Sequence, residues 1–492
     1  MAKGINKKTV RISDFSKGFD YDSDICKETL YPKLSYNFHY KNGALVSGYG
    51  VNDILLGEYE SSSVFERQLR NPYGVKFIGA WLYNYYSNTY SKFQKKVVLY
   101  GEDNNIYFFR LFGFDTEIYK LYEERMNSLP EAIHYNINDK DIMIFCSKDD
   151  NMLVWHSDNG VTILENVPKF RSICLHSSRL FAIVEGSGNK IWYSDNTDPT
   201  SWPAVKDSTI GVIEFPDEQR GKPNKILSFL DDIYVIRDFG ISRITFYAKT
   251  NSYQITQLFL SAGKIYSDTV CVCNDKMYMM TSDGIYVFDG NDAKKLDLKF
   301  NKMLPETNIN AKGAFFEGKY FVACKLNYDD NMCVGEENNS VFVNNSLISV
   351  DVSNNEISLT RGIDIAWLLP ITEGYFSKMM ICLNGENGSK ICELRKDGLY
   401  FQNVLSKHFE MRIDDFAVLS KKKQLRQIYV DTCFDCVLKI ESSEFCKEYN
   451  LKGGVKPNRI NIMKKVDDVV ISIDSESKDN KIKTLEIVYA EI

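Results

Sequence analysis

The chain repeats one pattern of hydrophobic and polar positions: an apolar run, a polar turn, and a second run rich in aromatic residues. The turns are rich in Asn, Asp and Gly, which favour hairpins because these residues tolerate positive φ. The pattern therefore predicts seven hairpins. Their paired runs are residues 97–100 with 106–109, 142–145 with 152–155, 180–184 with 191–193, 233–236 with 244–247, 277–280 with 285–288, 320–323 with 347–350, and 379–382 with 391–394.

The spacing of these hairpins predicts a β-propeller. Their first strands begin about 38 to 59 residues apart, and a blade of four strands needs about 40 to 50 residues. A lone blade cannot bury both faces of its sheet, so neighbouring blades must cover them, and closure of the ring protects the edges. We therefore expect an all-β fold built on a propeller of about seven blades, with six or eight still possible. A series of unrelated β-sandwiches is the alternative.

Two parts of the chain do not follow the repeat. Residues 1–60 contain turn signals but few hairpins, and we expect an extended N-terminal arm or clamp segment there. Residues 61–408 are the expected propeller. Residues 409–492 alternate short apolar strands with basic or polar turns, which predicts a small C-terminal β-sandwich or barrel. Short helices are expected only at residues 63–70 and 118–127.

Size and charge narrow the function. A chain of 492 residues exceeds what one hydrophobic core normally serves, so two or three packing units are expected. The aromatic share of 13% favours strands, because aromatic side chains pack well on pleated surfaces. The formal net charge of −6 argues against a dedicated nucleic-acid binder, which usually carries a basic excess. It is compatible with a wall past which DNA slides without sticking.

The cysteines do not predict a metal site. Only Cys433 and Cys436 have Cys-x-x-Cys spacing, and a tetrahedral zinc site needs four ligands. Cys446 and His408 are the residues that such a site could recruit. We interpret the twelve cysteines instead as buried thiols in a reducing cytosol. Residues 1–8 lack the apolar core of a signal peptide, and no stretch reaches the roughly 20 apolar residues of a membrane helix. We therefore expect synthesis in a cytoplasm and no membrane segment.

Candidate catalytic motifs are few. The five histidines show no metal-type spacing, and the sequence contains no nucleophile elbow and no phosphate-binding loop. Residues 20–24 alternate carboxylates as a calcium loop does, but Ile25 stands where the turn glycine belongs. We interpret this segment as a solvated acidic loop. The sequence therefore predicts a protein that is not an enzyme and has no catalytic residues, no cofactor and no metal.

One segment, residues 194–202, is similar to the Asp-box turn of sialidase propellers. Asp198 stands in place of the glycine of that motif, and Trp202 falls one position late. Asp boxes are structural turns even in sialidases, so the match does not establish catalysis. Glycoside hydrolysis also needs a matched acid and nucleophile, and the sequence alone can neither identify nor exclude such a pair.

A second resemblance extends along most of the chain. Residues 179–202 contain Arg-Leu-Phe, Trp-Tyr-Ser-Asp and Asp-Pro-Thr-Ser-Trp in that order, and residues 284–290 read Gly-Ile-Tyr-Val-Phe-Asp-Gly. These two segments are similar to motifs of bacteriophage virion β-propeller proteins, of the form Arg-Leu-Phe … aromatic-Ser-Asp … Asp-Pro-x-x-Trp and Gly-Ile-Tyr-x-Phe-Asp-Gly. Residues 15–19, 42–45 and 423–431 resemble further parts of these proteins in the same order, whereas residues 327–345 depart from them. The matching positions in the two motifs are Arg179, Leu180, Phe181, Trp192, Ser194, Asp195, Asp198, Pro199 and Trp202, and Gly284, Tyr286, Phe288, Asp289 and Gly290.

The resemblance implies a structural protein of the virion. The proteins that the chain resembles are the tail nozzle, tail hub and packaged-DNA stabilisation proteins of short-tailed phages. These proteins form rings below the portal and let the genome pass. It implies a homo-oligomeric ring in the tail, assembled in the bacterial host cytoplasm, that seals the portal end and conducts DNA during ejection. The implied partners are copies of the same chain, the portal or adaptor, other tail proteins, and genomic DNA bound without sequence specificity.

Three expectations remain open. One alternative function is a glycan-binding or glycan-cleaving propeller used in host recognition, and another is a cytoplasmic scaffold propeller. For a DNA conduit, we expect the surface facing the channel to be neutral or acidic, because each basic contact adds a salt-dependent grip on phosphate. We then expect Lys421, Lys422 and Lys423 to point toward neighbouring subunits or solvent.

Overall fold

The fold is taken from a computed structural model of the chain. It describes residues 7–15, 18–23, 32–56, 67–87, 92–111, 117–137, 140–156, 160–186, 189–196, 198–202, 211–216, 219–247, 249–250, 252–297, 299–328, 342–373, 376–385, 387–414 and 423–492. Within these ranges the chain forms strands and two single-turn 3-10 helices, Ser267–Thr269 and Asn301–Met303, with no α-helix. The all-β expectation is confirmed for this part of the chain.

Seven short strands come first along the chain. They are β1 (Lys7–Ile12), β2 (Leu34–Tyr36), β3 (Phe38–Lys41), β4 (Ala44–Ser47), β5 (Gly50–Asp53), β6 (Leu55–Leu56) and β7 (Arg67–Gln68). Strands β6 and β7 pair only with each other in the described chain. The other five join sheets formed much later in the sequence, as described below.

Six antiparallel sheets of four strands follow, and within each the strands pair in chain order. The first three sheets are β8 (Phe77–Ser87), β9 (Lys92–Gly101), β10 (Asn105–Arg110) and β11 (Tyr119–Arg125); β12 (Glu131–Ile137), β13 (Lys140–Cys146), β14 (Met152–His156) and β15 (Gly160–Leu164); and β16 (Phe170–His176), β17 (Arg179–Val184), β18 (Lys190–Tyr193) and β19 (Val212–Glu214).

The next three sheets have the same plan. They are β20 (Pro223–Phe229), β21 (Asp232–Arg237), β22 (Gly240–Tyr247) and β23 (Ser252–Leu260); β24 (Cys271–Cys273), β25 (Lys276–Thr281), β26 (Gly284–Phe288) and β27 (Ala293–Lys295); and β28 (Lys312–Phe316), β29 (Lys319–Cys324), β30 (Ser346–Asp351) and β31 (Ile357–Arg361).

A seventh sheet is completed from the start of the chain. It begins with β32 (Ile365–Glu373), β33 (Phe376–Gly385) and β34 (Gly388–Arg395). Its fourth strand is β5, which lies antiparallel to β34. The short strands β35 (Leu399–Tyr400) and β36 (Asn403–Val404) extend the sheet beyond β5.

The seven sheets form a closed ring. The first strands of successive sheets contact one another from β8 through β12, β16 and β20 to the 3-10 helix before β24, then β28 and β32, and β32 contacts β8. Apolar clusters fill the spaces between neighbouring sheets. The cluster that closes the ring joins Phe77 and Leu99 of the first sheet to Met380 of the seventh. This arrangement is propeller-like, and it buries both faces of every sheet as the repeat requires.

The seven predicted hairpins are confirmed, and each supplies the second and third strands of a sheet. The helix expected at residues 118–127 is wrong, because Tyr119–Arg125 is the strand β11, which pairs with β10. Pairing with a preformed sheet edge outweighs weak local helical preference. Of the other expected helix, residues 63–66 lie outside the described chain and Arg67–Gln68 is the strand β7.

Two further sheets pack face to face around one core. Their later strands are β37 (Lys407–Asp414), β38 (Lys423–Thr432), β39 (Cys436–Ser442), β40 (Phe445–Leu451), β41 (Asn458–Val466), β42 (Asp468–Ser475) and β43 (Lys481–Glu491). One sheet has the order β2-β37-β42-β39-β40, and the other has the order β3-β4-β43-β38-β41 with β1 also paired to β43. Phe409, Leu438 and Ile471 of the first sheet meet Ile428 and Ile487 of the second in a single cluster.

The strands of residues 7–53 are therefore divided between two bodies: β1 to β4 join the C-terminal sheets, and β5 joins the ring. The expected position of the lysine triplet is wrong for Lys423, which is buried as the first residue of β38. Lys421 and Lys422 lie outside the described residues.

Candidate functional site

We call residues 179–202 and 284–290, which resemble motifs of virion propellers, the two family-like segments. The first of them is organised around the Ser194 hydroxyl. The backbone N–H of Leu180 donates to Ser194 Oγ at 3.0 Å, and Ser194 Oγ donates to the carbonyl of Asp195 at 3.0 Å. Arg179 Nη1 donates to the carbonyl of Ser194 at 2.9 Å. Beside them, the side chains of Phe181 and Trp192 are buried in different apolar clusters. The segment ties the start of β17 to the end of β18.

The same segment continues as a turn stabilised by Asp198. The backbone N–H and hydroxyl of Thr200 donate to Asp198 Oδ1 at 3.0 and 2.7 Å. Pro199 lies between these two residues, where its fixed φ suits a turn. The ring of Trp202 then lies 4.8 Å from the ring of Phe170. Asp198 therefore stabilises the turn that follows β18.

The second segment has a comparable structural role in the fifth sheet. The Tyr286 hydroxyl donates to Asp283 Oδ2 at 3.0 Å, and the side chain of Phe288 is fully buried. Asp289 Oδ1 accepts from the backbone N–H groups of the two residues at positions 291 and 292. Gly284 has a φ of +137°, which favours glycine.

Gly290 joins the fifth sheet to the fourth. Its φ is +101°, and a Cβ at this position would meet Leu230 at 2.9 Å. Its carbonyl accepts from the Tyr234 hydroxyl at 3.2 Å. The two family-like segments are separated by the fourth sheet, so the structure does not bring them together into one site.

The strongest candidate site lies instead where the innermost strands begin. A cavity of about 380 Å³ opens between the first strands of the first four sheets, the 3-10 helix before β24, and β28. Its volume is in the range of small-molecule sites. We call it the axial cavity; its lining residues are Ile78, Gly79, Ala80, Trp81, Leu129, Pro130, Glu131, Arg171, Asn224, Lys225, Ser267, Asp268 and Lys312.

A hydrogen-bond chain fixes the wall of the axial cavity. Glu131 Oε2 accepts from Ser172 Oγ at 2.6 Å and from the backbone N–H of Ile173 at 3.1 Å. Ser172 Oγ in turn accepts from the backbone N–H of Ile226 at 3.1 Å. These bonds link β12, β16 and β20. Buried polar groups held in this way fix the separation of neighbouring strands.

Two ion pairs hold the other charged side chains of the wall. Arg171 donates to Glu185 through Nε at 2.6 Å and Nη2 at 2.9 Å, and through Nη1 to Asn224 at 2.9 Å. Lys312 Nζ is paired with Asp268 Oδ2. Burial acts to raise the pKa of Asp268, but Lys312 and Lys225 together hold it below its usual value.

The charges of Glu131 and Lys225 in the cavity wall interact, and each shifts the pKa of the other. Burial raises the pKa of Glu131, and the nearby Lys225 and the bond from Ser172 oppose the rise. For Lys225, burial acts to lower the pKa, yet the carboxylates of Glu131 and Asp268 leave it raised. Within the described residues, Lys225 Nζ has no hydrogen-bond acceptor or ion-pair partner at contact distance.

The sequence did not identify the axial cavity. Glu131, Arg171, Lys225 and Lys312 lie at the start of strands that prove to be innermost, and Asp268 lies in the 3-10 helix before β24. A charged residue at the start of the strand before the hairpin in the second, third, fourth and sixth sheets is the signal that the sequence offers. The hairpins alone do not show which strand of a blade faces the axis, so this signal does not identify the cavity.

The other candidate ligand residues are satisfied by the protein. Asp20 accepts from Ser23 and from Lys299 Nζ at 3.0 Å, and Asp22 accepts from backbone N–H groups of the second 3-10 helix. His408 Nδ1 lies 2.7 Å from Asp474. No cluster of three potential metal ligands occurs among the described residues, Cys433 and Cys436 included.

Comparisons with known proteins give only distant structural similarity. No family model and no curated protein matches the chain. The crystal structure of BBS1N in complex with ARL6DN aligns with a TM-score of 0.41 and 10% identity, over 70% of this chain and 97% of that one. The extracellular domain of the putative one-component system BT4673 from B. thetaiotaomicron aligns with a TM-score of 0.39 and 10% identity, over 89% of this chain and 59% of that one. Separately, none of the helices that the structure describes has the length and apolar character needed to cross a membrane.

Proposed function

We propose that this chain is a non-enzymatic structural subunit of a phage virion, of the tail-hub or tail-nozzle kind, that forms a ring, seals the portal end and conducts DNA during ejection. The observation that supports the proposal most is the way the chain is tied together. Strand β5 completes the seventh sheet, and β1 pairs with β43 along six residue pairs. A scaffold whose early strands pair with its late strands suits a part that must keep its shape while a genome passes.

The two family-like segments support the same proposal. Ser194 and Asp198 hold a turn, and Gly290 joins two sheets. Residues with these structural roles determine the shape of the fold and do not take part in a reaction. We therefore infer that the resemblance to virion propellers rests on a shared scaffold, and we take each of the seven sheets as one blade of a seven-bladed propeller.

The axial cavity is too small to be the path of the DNA. The axial cavity holds about 380 Å³, which accommodates a small molecule and not a duplex. Hydrogen bonds through Glu131 and Ser172 also fasten the inner strands to one another. The genome would therefore pass through a lumen formed between several copies of the chain in the virion tail, in contact with the portal or adaptor.

The test is the assembly state of the purified full chain. We expect mass photometry at micromolar concentration to show a closed oligomer, and negative-stain images to show rings with a central opening. A monomer in solution that also fails to join purified portal rings would contradict the proposal. Images in which the copies form no lumen would contradict DNA conduction specifically.

A second function is favoured by one observation, the polar cavity on the propeller axis. A cavity with charged groups and an indole in its wall is typical of a small-ligand site. It supports the glycan-binding alternative more than a cytoplasmic scaffold role, and its ligand is considered next.

A further inference from the structure

We propose that the axial cavity binds a neutral saccharide unit. The proposal rests on the unused hydrogen-bonding groups of its wall, on the balance of the wall charges, and on the apolar residues that line the same cavity. It does not depend on ring formation or on a place in a virion.

The wall presents both donors and acceptors that no described residue uses. Lys225 Nζ offers hydrogen atoms to the cavity, since it makes no hydrogen bond within the described chain. Glu131 accepts its hydrogen bonds at Oε2, and Asp268 pairs with Lys312 through Oδ2. The second oxygen of each carboxylate therefore remains available as an acceptor. These atoms lie at the surface of the cavity, where the hydroxyl groups of a polar occupant can hydrogen-bond to them.

The charges of the wall exclude an occupant with a large net charge. Glu131 and Asp268 balance Lys225 and Lys312, while Arg171 is neutralised by the bidentate pair with Glu185. A phosphate or a polyamine would add an uncompensated charge to a wall whose own charges already balance, which is unfavourable in a partly desolvated site. Hydroxyl groups accept from an ammonium and donate to carboxylates. A polyhydroxylated neutral ligand therefore satisfies both kinds of group.

The rest of the lining supplies an apolar surface. Trp81, Leu129 and Pro130 line the same cavity as the charged residues. An indole offers a flat hydrophobic face together with one polar group, and a sugar ring presents C–H groups on its faces and hydroxyls at its rim. We infer binding alone and no cleavage, because Glu131 and Asp268 are each held by bonds within the wall.

The experiment is saturation-transfer NMR on the full-length protein with glucose, galactose, mannose and N-acetylglucosamine as probes. At least one of these sugars should bind. Lys225→Met should weaken that binding about tenfold or more, the loss expected for a hydrogen bond to a charged group. Trp81→Leu should weaken it independently of any charge, so a variant that fails to fold does not leave the proposal without a test.

Lys319→Met is the matched control. Lys319 also stands at the start of a strand and lines a different cavity of about 380 Å³, so its replacement should leave sugar binding unchanged. Thermal unfolding by circular dichroism verifies that each variant is folded. Absence of binding by all four sugars, or a preference for glutamate or inorganic phosphate over them, would overturn the proposal. Equal loss in the Lys319 and Lys225 variants would also overturn it.

Discussion

Val51 on β5 pairs with Leu394 on β34, so a residue near the start of the chain completes the last sheet of the ring. Val51 is fully buried in the cluster between the sixth and seventh sheets. The strand that closes the ring is therefore also part of its core. Replacing Val51 by a charged residue should therefore disturb both the closure of the ring and the packing of its core.

The first prediction follows from that burial. Val51→Asp should lower the free energy of unfolding by about 4 kcal/mol, because an unpaired carboxylate would be buried between two sheets. Chemical denaturation followed by circular dichroism measures the change. Thr162→Asp is the control, since Thr162 lies exposed on the outer strand β15 and should cost less than about 0.5 kcal/mol. Equal losses in the two variants would show that β5 does not close the ring.

The second prediction concerns His408, which stacks on Tyr36 at 5.1 Å between ring centroids. Burial acts to lower its pKa, but the carboxylates of Asp474 and Glu410 outweigh burial and raise the pKa to about 9 from 6.5. A raised pKa stabilises the fold fully below pH 6.5, and this contribution is lost as the pH rises through 9.

His408→Gln should therefore remove on the order of 2 kcal/mol of stability at pH 6 and little at pH 10. Denaturation curves of the natural protein and the variant at several pH values between these limits measure the difference. His156→Gln, on β14 in the second sheet of the ring, is the control for replacing a histidine by glutamine. A difference between the His408 variant and the natural protein that stays constant with pH would contradict the assigned pairing.

The third prediction tests the structural role of the family-like turn. Ser194→Ala removes the acceptor of the buried Leu180 N–H and should cost about 1–2 kcal/mol. Ser201→Ala is the control, because the Ser201 side chain is exposed in the same turn. Both variants should keep the assembly state of the natural protein. A Ser194 variant of unchanged stability that loses assembly would assign this residue to an interface instead.

The fourth prediction is that the purified protein does not hydrolyse sialosides or common glycosides. Asp198 is used by the turn that it stabilises, and Asp268 is used by its pair with Lys312. Chromogenic and fluorogenic substrates give the measurement. Turnover that disappears in Glu131→Gln and persists in Asp198→Asn would place a catalytic carboxylate in the axial cavity.

The hairpins could be predicted from the sequence, but the strands that pair with each hairpin could not. Turns such as the one at Asp283 and Gly284 are encoded by adjacent residues, so the second and third strands of each sheet could be predicted from local chemistry. Strand β5 has a single large apolar residue, Val51, and its partner lies more than three hundred positions later. No local pattern marks such a pairing. Strand β11 was mistaken for a helix because its identity depends on the edge offered by β10.

The axial cavity was missed for a related reason. Glu131, Lys225 and Lys312 lie far apart in the chain and meet only because their strands are all innermost. The family-like residues were easier to find, since Ser194 and Asp198 act within one short segment. Local turns are visible in a single sequence, whereas a site assembled from separate repeats requires the register of every blade.

The pairing of β1 with β43 and of β5 with β34 also determines when the chain can finish folding during synthesis. A ribosome makes β1, β2 and β5 long before their partners β43, β37 and β34, which lie more than three hundred residues later. The first six sheets can form in order as they emerge, because each uses only neighbouring segments. Strands β1, β2 and β5 must remain without these partners throughout that time. Contacts of such long sequence separation form slowly and expose strand edges to aggregation, so the interval before β34 and β43 are made is the time at which this chain needs chaperone protection most.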